Sequence, residues 1–316
     1  MGRPDRTAHT QHPVTKLTEH TPGVAEQAGT EPMIHLGTSS GPYQGYVDAD
    51  AGIAFGWATN DTSPAYSEGR AVPPLYSVAF VLPALHAANT ECVDDGAIAG
   101  STGSVHGQHD VYFHAPVQPD STIRWTVAPY AAHQTPAGVL LTQRIAVSDT
   151  KGTLLVEHYW SSLFIGGTTK SEGGPVLVDH RYPEVARERI IGRETLDVPL
   201  DQAFRYAGVS NDHVPHALDD DAARQEGLPS KILQGMCTLA LCGSAVFRVA
   251  GVGDPNSLRR LAARFAAPAF PKRDLTVEVA DLGTTAEGFR SLAFEARSGG
   301  SVCISHGRAE VDGASF

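Results

Sequence analysis

Two short motifs occur twice in this chain, in the same order and at almost the same separation. Asn60-Asp61-Thr62-Ser63-Pro64 in the first half is answered by Asn211-Asp212-His213-Val214-Pro215, 212 − 61 = 151 residues on. Phe113-His114-Ala115-Pro116-Val117-Gln118-Pro119 is answered by Phe265-Ala266-Ala267-Pro268-Ala269-Phe270-Pro271, 268 − 116 = 152 residues on. Two motifs in one order at nearly one offset mark a duplicated domain. A chain of 316 residues has room for two cores of ordinary size. The expected division is an N-terminal unit over 39–168, a linker over 169–195 and a C-terminal unit over 196–316.

The copies share an element order as well. Each Pro-x-x-Pro segment leads into an alternating run, Thr122-Ile123-Arg124-Trp125-Thr126-Val127 in one and Asp274-Leu275-Thr276-Val277-Glu278-Val279 in the other. Period-two alternation with β-branched residues reads as a half-buried strand. Further strands are expected over Val139–Val147, Leu154–Phe164, Gly288–Ala296 and Val302–Val311. Ahead of these strands each copy has an apolar helical stretch, Leu75–Leu85 and Ile232–Val246. The second is apolar on nearly every face, so it has to be buried, as if wrapped by a sheet. Periodicity therefore gives an α+β fold with a central helix in each half. Residues 1–38, rich in Thr, His, Pro, Glu and Gln, read as a flexible tail that cannot bury enough surface to offset ordering. The polar, glycine-rich stretch Gly166–Pro175 reads as the joint between two packed units.

Composition narrows the partners. Hydrophobic residues make up 41% and charged residues 19%, a globular balance. A formal charge of −11 argues against a nucleic-acid backbone as partner. No stretch is long and apolar enough to span a bilayer, and Met1-Gly2-Arg3-Pro4-Asp5-Arg6 is followed by no apolar signal core. A cytoplasmic protein is expected. The four cysteines, Cys92, Cys237, Cys242 and Cys303, show no metal-ligand spacing, and Cys237 and Cys242 sit in an apolar run as small buried hydrophobes. His213 and His216 beside Asp219-Asp220-Asp221 lack a third ligand at metal spacing, and the acidic run suits the start of a helix over Ala222–Glu226.

The stretch Tyr206-Ala207-Gly208-Val209-Ser210-Asn211-Asp212-His213-Val214-Pro215-His216-Ala217-Leu218-Asp219 resembles the hydratase motif of MaoC-like, (R)-specific enoyl-CoA hydratases. Gly227-Leu228-Pro229-Ser230-Lys231-Ile232-Leu233-Gln234-Gly235-Met236-Cys237-Thr238-Leu239 looks like that family's second conserved stretch. Leu261–Pro268 and Gly307-Arg308-Ala309-Glu310-Val311 also match, so the resemblance covers most of residues 200–316. It implies a tandem (double) hotdog, each unit a long helix wrapped by a curved antiparallel sheet. It implies addition or removal of water across a 2,3-enoyl thioester, a reaction without a cofactor.

Such chemistry requires an acid/base pair around one water, and donors facing the thioester oxygen as charge builds there. In the family an Asp and a His five residues later supply the pair. The backbone N–H of a glycine opening the buried helix supplies the donor, where glycine allows close approach. Carried over, Asp212 takes the aspartate position and Gly235 the glycine position. The histidine position holds Ala217, the usual asparagine is Val214, and the histidine before the glycine is Gln234. His216 sits one residue early and is the expected substitute, with His213 the lesser one.

Catalysis is accordingly expected from Asp212, His216 and Gly235. Substrate contact is expected from Tyr206, Asn211, His213, Lys231, Gln234 and Arg264, with Asp61 and Tyr66 of the shorter first-half loop walling the acyl pocket. Lys231, Arg259, Arg260, Arg264, Lys272 and Arg273 form a basic rim suited to phosphates of an acyl-CoA or acyl-carrier-protein thioester. The Ala217 substitution leaves two alternatives open. One is a repurposed hotdog catalysing cyclisation, isomerisation or thioester hydrolysis; the other is a non-catalytic acyl-binding subunit. A monomer of tandem units and a homodimer both fit.

Overall fold

Alternating strands organise the molecule into one antiparallel sheet. The structure, a computed structural model, describes residues 15–17, 31–61, 63–178 and 181–313. The first half runs β1 (Thr15–Lys16), β2 (Ser40–Val47), α1 (Ala49–Ala58), α2 (Pro64–Ser67), α3 (Val78–Cys92), β3 (Ser104–Phe113), β4 (Ser121–Thr135), β5 (Gly138–Asp149) and β6 (Leu154–Ile165). The second runs β7 (Ile190–Leu196), α4 (Gln202–Ser210), α5 (Pro215–Leu218), α6 (Asp220–Gln225), α7 (Gly235–Ala250), β8 (Leu258–Phe265), β9 (Leu275–Thr284), β10 (Phe289–Ser298) and β11 (Ser301–Asp312).

The strand order is β1-β2-β4-β5-β6-β3-β8-β11-β10-β9-β7. Leaving out β1, the order reads the same from either end if each first-half strand is exchanged for its counterpart. The halves join where β3 pairs with β8, and Asp110 lies opposite Ala262. Their separation, 262 − 110 = 152, equals the repeat offset, so a residue and its own counterpart face each other at the centre of the sheet. The repeat has become a pseudo-two-fold axis. Edge strands that would each need cover are thereby paired into a continuous ladder.

Each half drapes its sheet over its own long helix. On α7, Met236, Cys237, Leu239, Leu241, Cys242 and Val246 are all buried, as an apolar helix demands. In the first half Phe80 of α3 stacks edge-on against Trp125 of β4, with ring centroids 5.8 Å apart. Gly45 of β2 lies beneath Phe80; a Cβ there would come within 2.7 Å of the ring. All four cysteines are free and buried.

The repeated Asn-Asp motif has a backbone cause. Asn60 and Asn211 follow α1 and α4 with φ of 55° and 60°, the left-handed geometry that ends helices and that asparagine tolerates. The second motif marks the ends of β3 and β8, at Phe113 and Phe265.

Several boundaries differ from the sequence expectation. Of the stretch 1–38 expected to be a flexible tail, Thr15–Lys16 pairs with β2, and Ile34 is buried and bridged to Val93. The rest of that expectation, 1–14 and 18–30, lies outside the described residues. Part of the expected linker is structured: Ala132 and Gly173 pair, and β7 from Ile190 pairs with β9. The buried helix begins at Gly235 rather than Ile232 and runs on to Ala250. Strands β2, β3, β7 and β8 carried too little alternation to be read in advance.

Candidate active site

Asp212 is placed by the helix end that precedes it. The left-handed Asn211 closes α4, and its side-chain amide donates to the Ala79 carbonyl of α3 at 2.8 Å. Asn211 thus ties the two halves together. The turn delivers Asp212 inward, where the residue is 8% exposed and Oδ1 has no hydrogen-bond partner among the described residues. Burial raises the pKa of this carboxyl, while the Val214 backbone N–H and nearby His216, His213 and His86 work in the other direction.

Gln234 sits immediately before α7 and is buried. Its side-chain amide donates to the carbonyls of Ala203 at 3.1 Å and Asp212 at 3.2 Å. The N–H of Ile232 donates to the His216 carbonyl at 3.2 Å. The Asp212 loop is therefore stitched to the start of the buried helix. Gly235 opens that helix, partly exposed, and a Cβ there would meet the Phe265 ring at 3.3 Å. The first N–H groups of a helix have no intrahelical acceptor and carry its positive end. A buried carboxyl and an open helix N-terminus are the two parts that thioester hydration needs.

The histidines divide. His216 places Nδ1 2.8 Å from Glu226 Oε2, leaving Nε2 as its other functional atom. His213 is exposed, and Ala217 is fully buried. Tyr206 is fully buried edge-on to Phe55, and burial together with the Asp212 charge raises its pKa well above the ordinary range. Asp219 caps α6 by accepting from the Ala222 N–H at 2.8 Å, as the acidic run suggested.

The basic rim is only half free. Lys231 pairs with Asp220 at 3.1 Å, Arg259 with Asp312, and Arg260 with Asp110 at 2.7 Å and Glu310 at 3.4 Å. Lys231, Arg259 and Arg260 each face a carboxylate, because β-pairing and the α6 turn bring one to them, and only the Arg260–Asp110 pair is buried. Arg264, Lys272 and Arg273 are exposed and have no carboxylate partner among the described residues.

Asp61 and Tyr66 line a cleft of their own. The expected cleft was one between the Asp212 loop and α7. A small apolar cleft with about 40 Å³ of cavity space surrounds Asp61 and Tyr66, closed on its far side by α7 and β8. Asp61 accepts from the Ser63 N–H at 3.1 Å and from the Ser244 hydroxyl of α7 at 2.8 Å.

One polar assembly was not foreseen at all. His106 Nε2 lies 3.3 Å from His109 Nδ1, His109 Nε2 lies 3.0 Å from His158 Nδ1, and His158 Nε2 lies 2.9 Å from Ser77 Oγ. His106 stacks on Trp160 with centroids 3.8 Å apart and leans on Phe265, the ring beside Gly235. Burial lowers the pKa of His106 and of His158 to about 3, so the imidazoles are neutral. These residues come from β3, β6 and the turn before α3, and only the strand register brings them together. Among the described residues no set of three His, Cys, Asp or Glu side chains is arranged to hold a metal ion, and no helix is long and apolar enough to cross a membrane.

Two antiparallel half-sheets, each wrapped on a long helix and joined edge to edge, define a double hotdog. Solved structures agree on this fold. A MaoC-like dehydratase from Phytophthora capsici superposes with a TM-score of 0.74 at 17% identity, covering 88% of this chain and 97% of that one. A Mycobacterium tuberculosis protein described as having a double hotdog fold superposes at 0.52 and 13% identity, covering 84% and 91%. In sequence, residues 184–299 match the family described as MaoC like domain. A peroxisomal enoyl-CoA hydratase 2 of Arabidopsis thaliana is 33% identical over 78 residues, a stretch that is 25% of this chain and 25% of that enzyme. Residues 184–299 are thus similar to a MaoC-like domain, and the whole described chain has the double-hotdog fold.

Proposed function

We propose that the chain adds or removes water across the 2,3-double bond of an enoyl thioester, a hydro-lyase reaction centred in the C-terminal unit, 196–316. The unit over 39–168 supports that site. The observation that carries this reading is the buried Asp212 carboxyl, with Oδ1 unpartnered, stitched to the opening of the glycine-started helix α7.

The residues divide the work as follows. Glu226 holds His216 Nδ1–H, so Nε2 is the lone-pair nitrogen that takes a proton from water as its oxygen bonds to C3. The Gly235 N–H meets the negative charge gathering on the thioester oxygen. Asp212, whose burial favours its protonated form, returns a proton to C2. Buried Tyr206 and Gln234 shape the pocket behind these groups, and exposed His213 borders its entrance. Arg264, with Lys272 and Arg273, offers free cations to the phosphate of a coenzyme A or acyl-carrier-protein arm. No cofactor enters the reaction.

A panel of enoyl thioesters of graded length, on both carriers, tests this. Loss of enoyl absorbance together with a mass gain of one water is the expected result. No change with any member of the panel rejects the reading. The buried Ala217 favours one rival, in which Asp212 acts as the lone acid/base in isomerisation, cyclisation or thioester hydrolysis. That rival predicts products without a gain of water at C3.

A further inference from the structure

Helix α3 carries a proline in its interior, Pro83. Proline has no N–H to give to the carbonyl four residues back, and its ring crowds that carbonyl. The carbonyl concerned belongs to Ala79, since 83 − 4 = 79. It is the one to which the Asn211 side-chain amide donates at 2.8 Å. A gap in the hydrogen-bond ladder of one half is filled by a side chain of the other. Proline is the least favourable residue for a helix interior, so its presence there calls for a compensating use.

The second copy of the repeat serves as a control. Helix α7 contains no proline, so its interior carbonyls have N–H groups four residues on. Asn60 is the counterpart of Asn211 and is likewise left-handed, yet its amide donates to the Gln202 side chain at 3.1 Å. Two asparagines in the same backbone geometry thus find different acceptors. The one that takes a helix carbonyl takes the carbonyl that a proline has opened.

This bond acts next to the buried carboxyl. Asn211 turns the chain inward and Asp212 follows it directly. Two other ties of the loop, from Gln234 to the Asp212 carbonyl and from Ile232 to the His216 carbonyl, come from within the C-terminal unit. The Asn211 bond reaches the N-terminal unit, so the loop is held from both halves. Two turns beyond Ala79 on the same face of α3, His86 is close enough for its charge to act on Asp212.

We propose that Pro83 and Asn211 are positioning residues for Asp212: the carbonyl that Pro83 leaves open anchors Asn211, and that anchor sets where the next carboxyl points. The inference rests on the hydration reading above, in which Asp212 is the acid, and makes that acid depend on the N-terminal unit.

Hydrogen exchange of the whole chain, followed on the peptide 211–219, and steady-state kinetics with an enoyl thioester test the proposal together. Pro83→Ala gives α3 an N–H that takes the Ala79 carbonyl and displaces Asn211. The variant should melt no lower than wild type, because a helix breaker has gone. Its exchange over 211–219 should nevertheless quicken about tenfold, the worth of one hydrogen bond. Its kcat should fall by at least about tenfold with KM nearly unchanged, since a displaced acid is felt in the transition state. Asn211→Gly keeps the left-handed backbone and deletes only the amide, so it should match Pro83→Ala in exchange and kcat. Both substitutions break one bond, so the double variant should be no worse than either single. Wild-type exchange in Pro83→Ala, losses that multiply in the double variant, or a Pro83→Ala chain that melts below wild type would each overturn the proposal. Quickened exchange beside an unchanged kcat would also overturn it, because the tie would then hold the loop without placing the acid. Exchange needs no thioester, so in a chain without hydratase activity it still decides whether Pro83 anchors the loop, while the hydration reading fails separately.

Discussion

The side-chain amide of Gln234 donates to the main-chain carbonyl of Asp212 at 3.2 Å, so the residue just before the buried helix also fixes the peptide bearing the buried carboxyl. Helix N-terminus and carboxyl cannot drift apart while that bond stands. Gln234→Ala strips one donor from each of two carbonyls, Asp212 and Ala203, and should cost about 1–3 kcal/mol of stability. Because the loop loosens, kcat for the enoyl thioester should fall more than KM rises. Thermal melts and steady-state kinetics check this. A lowered Tm beside an unchanged kcat would show the link to be structural only.

The acid/base assignment separates two side chains. Asp212→Asn should reduce turnover by about 10²–10⁴-fold, the usual contribution of a positioned acid or base. His216→Ala should reduce it by at least about tenfold, and Glu226→Gln by less, since the imidazole stays while its orienting charge goes. Single-turnover rates with one enoyl thioester read all three. Full activity in His216→Ala would leave the carboxyl acting alone.

Asp212 also gives stability a pH dependence with a definite sign. An unfolded carboxyl loses its proton near 3.8, while burial holds the folded one above that value. Between the two the folded state binds more protons, so stability falls as pH rises through the folded pKa. Asp212→Asn removes this penalty. The variant should melt higher than wild type at pH 7, and the gap should close as the pH falls toward 3.8. A gap that stays constant with pH would mean that the carboxyl is not held above its ordinary value.

How much of this was legible depended on whether a feature was local. The repeat could be read because Asn60 and Asn211 answer a backbone requirement, a left-handed residue after a helix, that few side chains meet. Asp212 and Gly235 could be read because each lies in a contiguous motif, and α7 because it is apolar on every face. Strand β7 could not: it lies at the sheet edge, its side chains are mostly exposed, and only pairing with β9 makes it a strand. The pairing of half the basic rim was hidden for a related reason. Arg260 is neutralised by Asp110, 150 residues away, and nothing near Arg260 in sequence announces that carboxylate. The imidazole chain is the extreme case, since His109 and His158 meet only through the register of β3 on β6.

The same Asp110–Arg260 pair should anchor the junction between the halves. Two bonds, at 2.9 and 2.7 Å, join β3 to β8 next to the pseudo-two-fold centre, and Asp110 is 1% exposed. Asp110→Ala leaves the buried guanidinium with only the longer contact to Glu310 and should cost up to about 3–5 kcal/mol. Asp110→Leu combined with Arg260→Met should recover most of that loss, because the desolvation of both charges disappears together. Urea unfolding of the three variants decides. If the double variant is as unstable as Asp110→Ala, the contribution of the pair lies in shape rather than charge.

The buried imidazoles should make the fold sensitive to acid. Burial is the first cause that lowers the pKa of His109, with His106 and His158 adding to it; His158 is held at about 3 by burial alone. In the unfolded chain these rings accept protons near 6.5. Below that pH the unfolded state takes up protons that the folded state refuses, so stability falls as pH falls. Each such ring contributes a slope of up to about 1.4 kcal/mol per pH unit until the folded ring itself titrates. His109→Leu breaks the chain from His106 to Ser77 and should lower stability at pH 7, leaving His106 and His158 each short of one partner. The decisive quantity is the slope rather than the level. Urea unfolding between pH 7 and about pH 4 should show His109→Leu losing less stability per pH unit than wild type, by about one proton's worth. Equal slopes would mean that His109 takes up its proton in the folded protein as readily as in the unfolded one, and the imidazole chain would then be charged rather than neutral.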